Sequence, residues 1–354
     1  MMKSLATDEM TSPAGEVCPW NPAAAAIGHA PRPRIALLSN PKSTRNVAQL
    51  SRIREYCSDH PDVFHYEVEH AHQIGEAMKV IARVRPKVLA INGGDGTVQA
   101  ALTEIYNGGY FQGDPPPVAV LPSGKTNLIA LDLGARGDPI EALERLIELA
   151  RTDLAPYTVA RELIALRHGG GDRPIIGMFL GGAGLADTML YCRDKIYPLG
   201  LPTGIAHGIT AFALLAKWFL KAKASFLPPD PTPLRVSMGG VKNNALTGQF
   251  SLLAVTTLEK LLLNSELGGR RNGTLKFLAI EERPMSLIRG LAASFAGTLG
   301  RSPVRGVHFE EADEITIEGE SSHVILDGES YRAEIGRPIS LTPAQPLSFV
   351  KLAA

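Results

Sequence analysis

The sequence has few cysteines and no excess of either charge, and each of these features excludes a class of protein. Its three cysteines, Cys18, Cys57 and Cys192, are too few and too far apart for a disulfide framework or a zinc site. Lysine plus arginine and aspartate plus glutamate number 36 each, so no positive field favours nucleic acid as a partner. We therefore expect a cytoplasmic protein that does not bind nucleic acid.

A long uninterrupted apolar run is also missing. The longest apolar segment, residues 205–220, is shorter than a bilayer span and contains His207 and Lys217. Residues 1–31 combine prolines, alanines and scattered acids without the apolar centre of a secretory signal. The sequence therefore predicts no transmembrane segment, and it predicts a disordered arm at residues 1–31.

Strand and helix patterns alternate between residues 32 and 155. Apolar runs typical of buried parallel strands lie at residues 35–38, 87–91 and 117–122. Helical spacing of apolar residues follows at residues 74–84 and again after Asp138, a helix N-cap residue with proline next to it. This alternation predicts an α/β domain at residues 32–155 with a doubly wound, mainly parallel sheet.

The pattern changes after residue 156, where short strand patterns separated by turn signals take over. They lie at residues 156–168, 234–240, 248–258, 274–280, 313–320, 323–329 and 331–341. Two helix patterns interrupt them, near residues 203–223 and 285–299. We predict a C-terminal β-sandwich domain at residues 156–354, with its last strands packing back on the first domain.

The motif GGDGT at residues 93–97 is the strongest functional signal. It follows a buried strand and opens a helix, and its glycines let the backbone approach a phosphate at the helix N-terminus. Asp95 has the side chain to hold a magnesium ion or a nucleotide hydroxyl. The alternative is an ordinary strand-to-helix turn, and the spacing does not fit the dinucleotide pattern G-x-G-x-x-G.

A second glycine-containing loop, AVLPSGKTN, lies at residues 119–127. Its Gly124, Lys125 and Thr126 match the end of a P-loop, but a P-loop requires glycine at the position of Ala119. Ligands of a doubly wound sheet collect at the carboxyl ends of neighbouring strands. The segment therefore predicts a second phosphate loop beside GGDGT rather than a P-loop.

Near the C-terminus, Asp327 and Glu329 flank Gly328. Asp-Gly is also a strong hairpin signal, so a purely structural turn is an equal alternative for this segment. The two carboxylates nevertheless have the chemistry of a general base or a metal ligand.

The motifs taken in order resemble the diacylglycerol kinase catalytic superfamily, in particular bacterial lipid kinases related to sphingosine and ceramide kinases. The resemblance rests on NPKS at 40–43, GGDGTV at 93–98, LPSGKTN at 121–127, GAGLAD at 182–187 and ITIEGESSHVILDGE at 315–329. It implies an α/β fold with an N-terminal, NAD-kinase-like nucleotide domain and a C-terminal β-sandwich. It also implies a cleft where ATP and Mg²⁺ meet a lipid hydroxyl.

The resemblance assigns roles to individual residues. Glu329 is implied as the base for the lipid hydroxyl, Asp327 as its partner, and Asp95 as a central catalytic residue that contacts metal through the nucleotide's magnesium. The implied nucleotide-binding residues are Asn40, Pro41, Lys42, Ser43, Thr44, Gly93, Gly94, Asp95, Gly96, Thr97, Gly124, Lys125, Thr126 and Asn127. The implied partner is a lipid at the inner membrane surface, and the oligomeric state stays open, with a homodimer among the options.

The sequence departs from the family pattern at three places. Lys125 replaces a threonine, Leu128 replaces an aspartate, and Arg271-Asn272 stands where relatives carry a magnesium-binding Asp-Asp-Gly, so we predict no structural metal there. These departures leave two alternatives to an active lipid kinase. One is a catalytically silent nucleotide- or lipid-binding protein, and the other is an NAD-kinase-like enzyme with a soluble substrate.

Overall fold

The structure is a computed structural model that describes residues 34–168, 171, 173–196, 231–239, 245–258, 274–320 and 322–352. Its strands are β1 (Ile35–Ser39), β2 (Val63–Glu67), β3 (Val88–Gly93), β4 (Val118–Pro122), β5 (Thr158–His168), β6 (Ile175–Gly177), β7 (Phe179–Gly182), β8 (Leu234–Met238), β9 (Ala245–Gly248), β10 (Phe250–Thr256), β11 (Leu275–Glu281), β12 (Val307–Ala312), β13 (Ile315–Gly319), β14 (Ser322–Leu326), β15 (Glu329–Ala333) and β16 (Ile339–Val350). Its helices are α1 (Asn46–Ser58), α2 (Ile74–Val84), α3 (Asp95–Gly108), α4 (Leu128–Asp132), α5 (Pro139–Arg151), α6 (Gly184–Tyr191) and α7 (Pro284–Phe295). The predicted arm at 1–31, the helix predicted near 203–223 and Arg271-Asn272 lie outside the described residues.

The first sheet begins with four parallel strands in the order β2, β1, β3, β4. Because parallel crossovers are right-handed, α1 lies on one face of the sheet, while α2 and α3 lie on the other and pack together. The chain therefore leaves β1 and β3 toward opposite faces at their adjacent carboxyl ends. This point, where the strand order reverses, is where doubly wound sheets bind ligands.

Local chemistry accounts for the helices around this sheet. In α2, Ile74, Met78 and Ile81 recur at helical spacing, and all three are buried. Helix α5 begins directly after Asp138, whose Oδ1 accepts a hydrogen bond of 2.7 Å from the backbone N–H of Ile140. The helix patterns predicted at these two places are confirmed.

Strands β5 and β16 extend the first sheet into the C-terminal half of the chain. They pair with each other along most of their length, and β16 also pairs with β13 and, at Phe349, with Val118 of β4. Successive side chains of β5 pack into different hydrophobic cores. Leu163 packs with the parallel strands, and Ile164 packs with the C-terminal strands. The two halves of the chain are therefore joined by continuous strand pairing.

The second sheet is antiparallel, in the order β12, β11, β10, β7, β14, β15. Its inward residues, such as Phe277 and Val324, share one hydrophobic core with Val236 of β8 and Ile317 of β13 in the first sheet. The predicted fold class, an α/β part followed by a β-sandwich, is confirmed, whereas the domain boundary at residue 155 stays a prediction. Within the described residues, no helix has the length and apolarity needed to cross a membrane.

Candidate active site

The loops that leave β1 and β3 are tied together by side-chain hydrogen bonds. Asn40, the residue after β1, donates from Nδ2 to Oγ1 of Thr97 at 2.9 Å. The Oγ atom of Ser43 accepts a hydrogen bond of 3.1 Å from the backbone N–H of Gly94. The NPKS and GGDGT segments therefore form one surface at the carboxyl edge of the sheet.

A buried asparagine in β3 supports this surface from below. Asn92 donates from Nδ2 to Oγ of Ser39 at 2.9 Å, and its Oδ1 accepts a hydrogen bond from Oγ of Ser123. Its carbonyl oxygen accepts a hydrogen bond of 3.0 Å from Nδ2 of Asn46. Asn92 thus links the ends of β1, β3 and β4, a role that our sequence analysis missed although an asparagine closing an apolar strand is a visible signal.

The second phosphate loop touches the first through glycine backbones. A Cβ atom on Gly124 would lie 2.8 Å from Cα of Gly94, so only glycine fits at this approach. Asn127, at φ +54°, holds the loop closed because its Oδ1 accepts from Gly124 N–H at 2.6 Å and its Nδ2 donates to Gly124 C=O at 2.9 Å. The structure therefore places Gly94, Gly124 and Asn127 at one site.

Asp95 is half-buried between these two loops. Burial raises the pKa of its carboxyl to about 6. Hydrogen bonds from the backbones of Asn127 and Leu128 act in the opposite direction and lower the pKa, but burial has the larger effect. Leu128, which departs from the family pattern in its side chain, thus supports Asp95 through its main chain. Lys125 is exposed beside them, and Thr126 is half-buried.

Asp327 is buried and anchors the Asp-Gly-Glu turn between β14 and β15. Its carboxylate oxygens accept hydrogen bonds from the backbone N–H groups of Met178 at 2.8 Å and Phe179 at 3.0 Å. Its own N–H donates to the carbonyl of Phe179 at 3.0 Å, and its φ is +43°. Burial and, to a smaller extent, the nearby negative charge of Asp95 raise the pKa of Asp327 to about 8, although the hydrogen bonds from Met178 and Phe179 lower it.

Glu329 brings a second carboxylate to the first turn of α3. The side chain is exposed, and its Oε1 lies 2.7 Å from the position that a Cβ atom on Gly96 would occupy. Gly328 also lies near this turn of α3, because a Cβ on this residue would be 3.8 Å from the backbone nitrogen of Gly96. The turn near the C-terminal end of the described chain therefore lies directly against the GGDGT loop.

A buried glutamine in α3 holds this turn in place. The Nε2 atom of Gln99 donates to the carbonyl of Leu326 at 2.9 Å and to Oη of Tyr331 at 3.2 Å. Gln99 was not among the residues predicted from the sequence, although a glutamine among the apolar positions of a helix that opens at a phosphate loop is a recognisable signal. Gln99 thus connects α3, the helix that begins at the GGDGT loop, to both β14 and β15, the two strands of the hairpin that contains Glu329.

The remaining residues of the NPKS segment lie farther from these contacts. Lys42 is exposed, with its Nζ 3.3 Å from Oε2 of Glu69 and 3.2 Å from Nε2 of His70. Pro41 is half-buried and Thr44 is exposed. The structure thus brings together both glycine loops, Asn40, Ser43, Asp327 and Glu329, while Lys42 is paired with residues of the segment that follows β2.

Known proteins resemble this chain in sequence over its first part and in overall fold. Residues 34–158 match the diacylglycerol kinase catalytic domain. A diacylglycerol kinase from Bacillus anthracis str. Sterne aligns with a TM-score of 0.56 at 15% identity, over 90% of this chain and 97% of its own. A provisionally assigned diacylglycerol kinase from the same organism aligns with a TM-score of 0.61 at 16% identity and the same coverage.

At such low identity, these two structures establish the fold alone. None of the curated proteins compared with the sequence matches it. The match at residues 34–158 covers β1 to β4 with the NPKS, GGDGT and LPSGKTN loops, which are the parts of the site that lie at the carboxyl edge of the first sheet. Residues 34–158 are therefore similar to diacylglycerol kinase catalytic domains.

Proposed function

We propose that this protein is an ATP-dependent lipid kinase that transfers the γ-phosphate to a lipid hydroxyl group. The matched domain supports a phosphotransferase of the kinase type. ATP as donor and a lipid as acceptor are our proposal, and the acceptor class is taken from the description of that domain. The observation that carries the proposal is the contact between the Glu329 carboxylate and Gly96 in the phosphate loop.

The two glycine loops are suited to hold the phosphates. The first backbone N–H groups of α3 have no intrahelical acceptor, and the helix dipole favours negative charge at this end. The direct backbone contact between Gly94 and Gly124 leaves no side chain between the loops. We propose that Asp95 contacts the nucleotide's Mg²⁺, which when bound neutralises phosphate charge during transfer.

The two acidic residues of the turn differ in their access to an acceptor. Glu329 is exposed, so its carboxylate is open to a hydroxyl group, and we assign it as the general base. Asp327 is 5% exposed and holds the backbone of Met178 and Phe179, so we assign it the role of positioning the turn. Phosphoryl transfer depends mainly on positioning and charge neutralisation, and this division of roles supplies the positioning.

The replacement Glu329→Gln tests the assignment of the base. We expect turnover to fall by roughly 10²–10⁴-fold with ATP affinity unchanged, because the amide retains the shape of the side chain and loses its basicity. Glu55→Gln, at an exposed position on α1, is the matched control and should keep wild-type turnover. Wild-type turnover in Glu329→Gln would remove Glu329 from the mechanism.

The choice of acceptor needs a separate experiment. Labelled phosphate from the γ-position of ATP is followed into diacylglycerol, ceramide, a sphingoid base and NAD in parallel. Transfer to one of the lipids supports the proposal, and transfer to NAD alone would identify a soluble-substrate kinase. Nucleotide binding with transfer to none of them would favour the catalytically silent alternative.

A further inference from the structure

We propose that the outward face of α7 is a docking surface for an anionic lipid bilayer. This face is defined by Met285, Ile288 and Leu291, which are 54%, 48% and 45% exposed. The proposal rests on the proposed function and deepens it, because a kinase with a lipid acceptor would meet that lipid in a bilayer. It concerns a helix on the β11 and β12 side of the second sheet, whereas the turn with Glu329 lies at the opposite edge of that sheet.

The distribution of side chains around α7 is the reverse of that in an ordinary surface helix. Small residues face the protein: Ser286, Gly290 and Ala293 are buried. At Gly290 the helix approaches the sheet so closely that a Cβ atom would lie 2.7 Å from Cδ1 of Ile280. Leu287 is half-buried, so the large apolar residues of α7 that face solvent are those of the outward face. An exposed apolar face of this kind is typical of an interfacial helix.

Exposed apolar side chains are clustered on this helix rather than scattered over the surface. The large hydrophobic side chains exposed among the described residues are Val47, Tyr106, Leu131, Met285, Ile288, Leu291 and Ile335. Three of them lie on α7 at spacings of three residues, which places them along about 9 Å of one side of the helix. Single exposed apolar residues are normal, but a contiguous group marks an interaction site.

The charges around α7 favour an anionic partner. Four arginines, Arg283, Arg289, Arg301 and Arg305, are exposed, and residues 283–309 contain no aspartate or glutamate. Arg283 is also paired with Glu281, with Nη1 and Oε2 3.4 Å apart, so three arginines carry most of the local positive charge. Arginine beside an exposed apolar stripe matches the headgroup and acyl layers of an anionic membrane.

The same charges argue against a second copy of this chain as the occupant. A symmetric contact through α7 would bring Arg289 of one copy toward Arg289 of the other, and α7 itself carries no acid to neutralise them. A bilayer that contains anionic lipid offers negative charge and an apolar layer together. The charge pattern therefore favours an anionic membrane over a second copy of this chain as the partner of α7.

Vesicle flotation of the full-length protein tests the proposal. Partitioning is measured on neutral phosphatidylcholine vesicles and on vesicles in which part of that lipid is replaced by anionic phosphatidylglycerol. We expect stronger binding to the anionic vesicles, and we expect Ile288→Asp with Leu291→Asp to weaken it by about tenfold or more. Removing an arginine, as in Arg289→Ala or Arg301→Ala, should weaken binding by about fivefold each.

Matched controls separate this surface from other causes. Ile335→Asp, at a residue that is 73% exposed outside α7, should bind vesicles as the wild type does. Phosphate transfer to a short-chain acceptor dissolved without vesicles should be unchanged in the α7 variants, so a failure of the kinase assignment and a failure of the docking surface give different results. If the double aspartate variant unfolds, the two arginine variants still decide the question.

Several outcomes would overturn the proposal. One is a wild-type protein that binds neither kind of vesicle, and another is equal binding by the wild type and all α7 variants. A third is a loss of self-association in the double aspartate variant with vesicle binding intact, which would show that a second copy covers this face.

Discussion

Replacing Gly96 by alanine should separate the activity of this protein from its stability. The new Cβ atom would meet Oε1 of Glu329 at 2.7 Å, so the carboxylate would have to retreat by roughly 0.7 Å to reach ordinary van der Waals contact. Glu329 is exposed, which lets its flexible side chain move without disturbing the core. The perturbation therefore acts on the position of the proposed base and on little else.

Gly96→Ala should lower turnover without lowering the stability of the fold. A displacement approaching 1 Å at a reacting group costs up to about 10²-fold in rate, so we expect turnover to fall by roughly 10- to 100-fold. Gly96 lies in the first turn of α3, where alanine is a better helix former than glycine by up to about 1 kcal/mol. The free energy of unfolding should therefore be equal to that of the wild type or slightly higher.

Three measurements on Gly96→Ala check this reasoning: turnover, KM for ATP, and the midpoint of denaturant unfolding. Turnover should fall while the midpoint stays at or above the wild-type value. In a background that already carries Glu329→Gln, Gly96→Ala should reduce turnover little further, because the group that it displaces has lost its basicity. Wild-type turnover in Gly96→Ala, or a full additional loss in the double variant, would refute the proposed link between Gly96 and Glu329.

Two further predictions concern the second phosphate loop. Gly124→Ala should lower the free energy of unfolding by about 1–3 kcal/mol, measured by denaturant titration. The new Cβ atom would meet the backbone of Gly94 at 2.8 Å, and a backbone contact is not relieved by rotation of a side chain. Gly94→Ala is the matched control, since its Cβ would lie at an ordinary 3.6 Å from Cα of Gly124, and an equal loss in both variants would contradict this explanation. Lys125→Thr should raise KM for ATP by about fivefold through loss of one charge near the phosphates, whereas Lys125→Arg should not, and an unchanged KM in Lys125→Thr would make the charge incidental.

Local chemistry in the sequence was sufficient to predict many elements of this fold. The spacing of Ile74, Met78 and Ile81 indicated α2, and Asp138 followed by Pro139 indicated the start of α5, because helix periodicity and capping depend on neighbouring residues. The alternation of strands and helices likewise indicated that the NPKS, GGDGT and LPSGKTN loops share one edge of a parallel sheet.

Buried polar residues were harder to recognise. The sequence shows Asn92 and Gln99 only as polar residues among apolar ones, and their importance comes from partners such as Ser39, Ser123 and Tyr331 that lie far away along the chain. A pattern of apolar residues shows which face of an element is buried, but it does not show which buried polar groups meet. Those partners are set by the packing of whole strands and helices against one another.

The sequence by itself determined the elements, the motifs and their order, because each of these depends on residues that are close together in the chain. Only the tertiary structure decided that Glu329 lies against Gly96 while Asp327 is held by the backbone of Met178 and Phe179. This arrangement depends on the antiparallel pairing of β7 with β14, which carries the Asp-Gly-Glu turn to the N-terminus of α3. Strand register of this kind is set by packing between distant segments, and no local pattern encodes it.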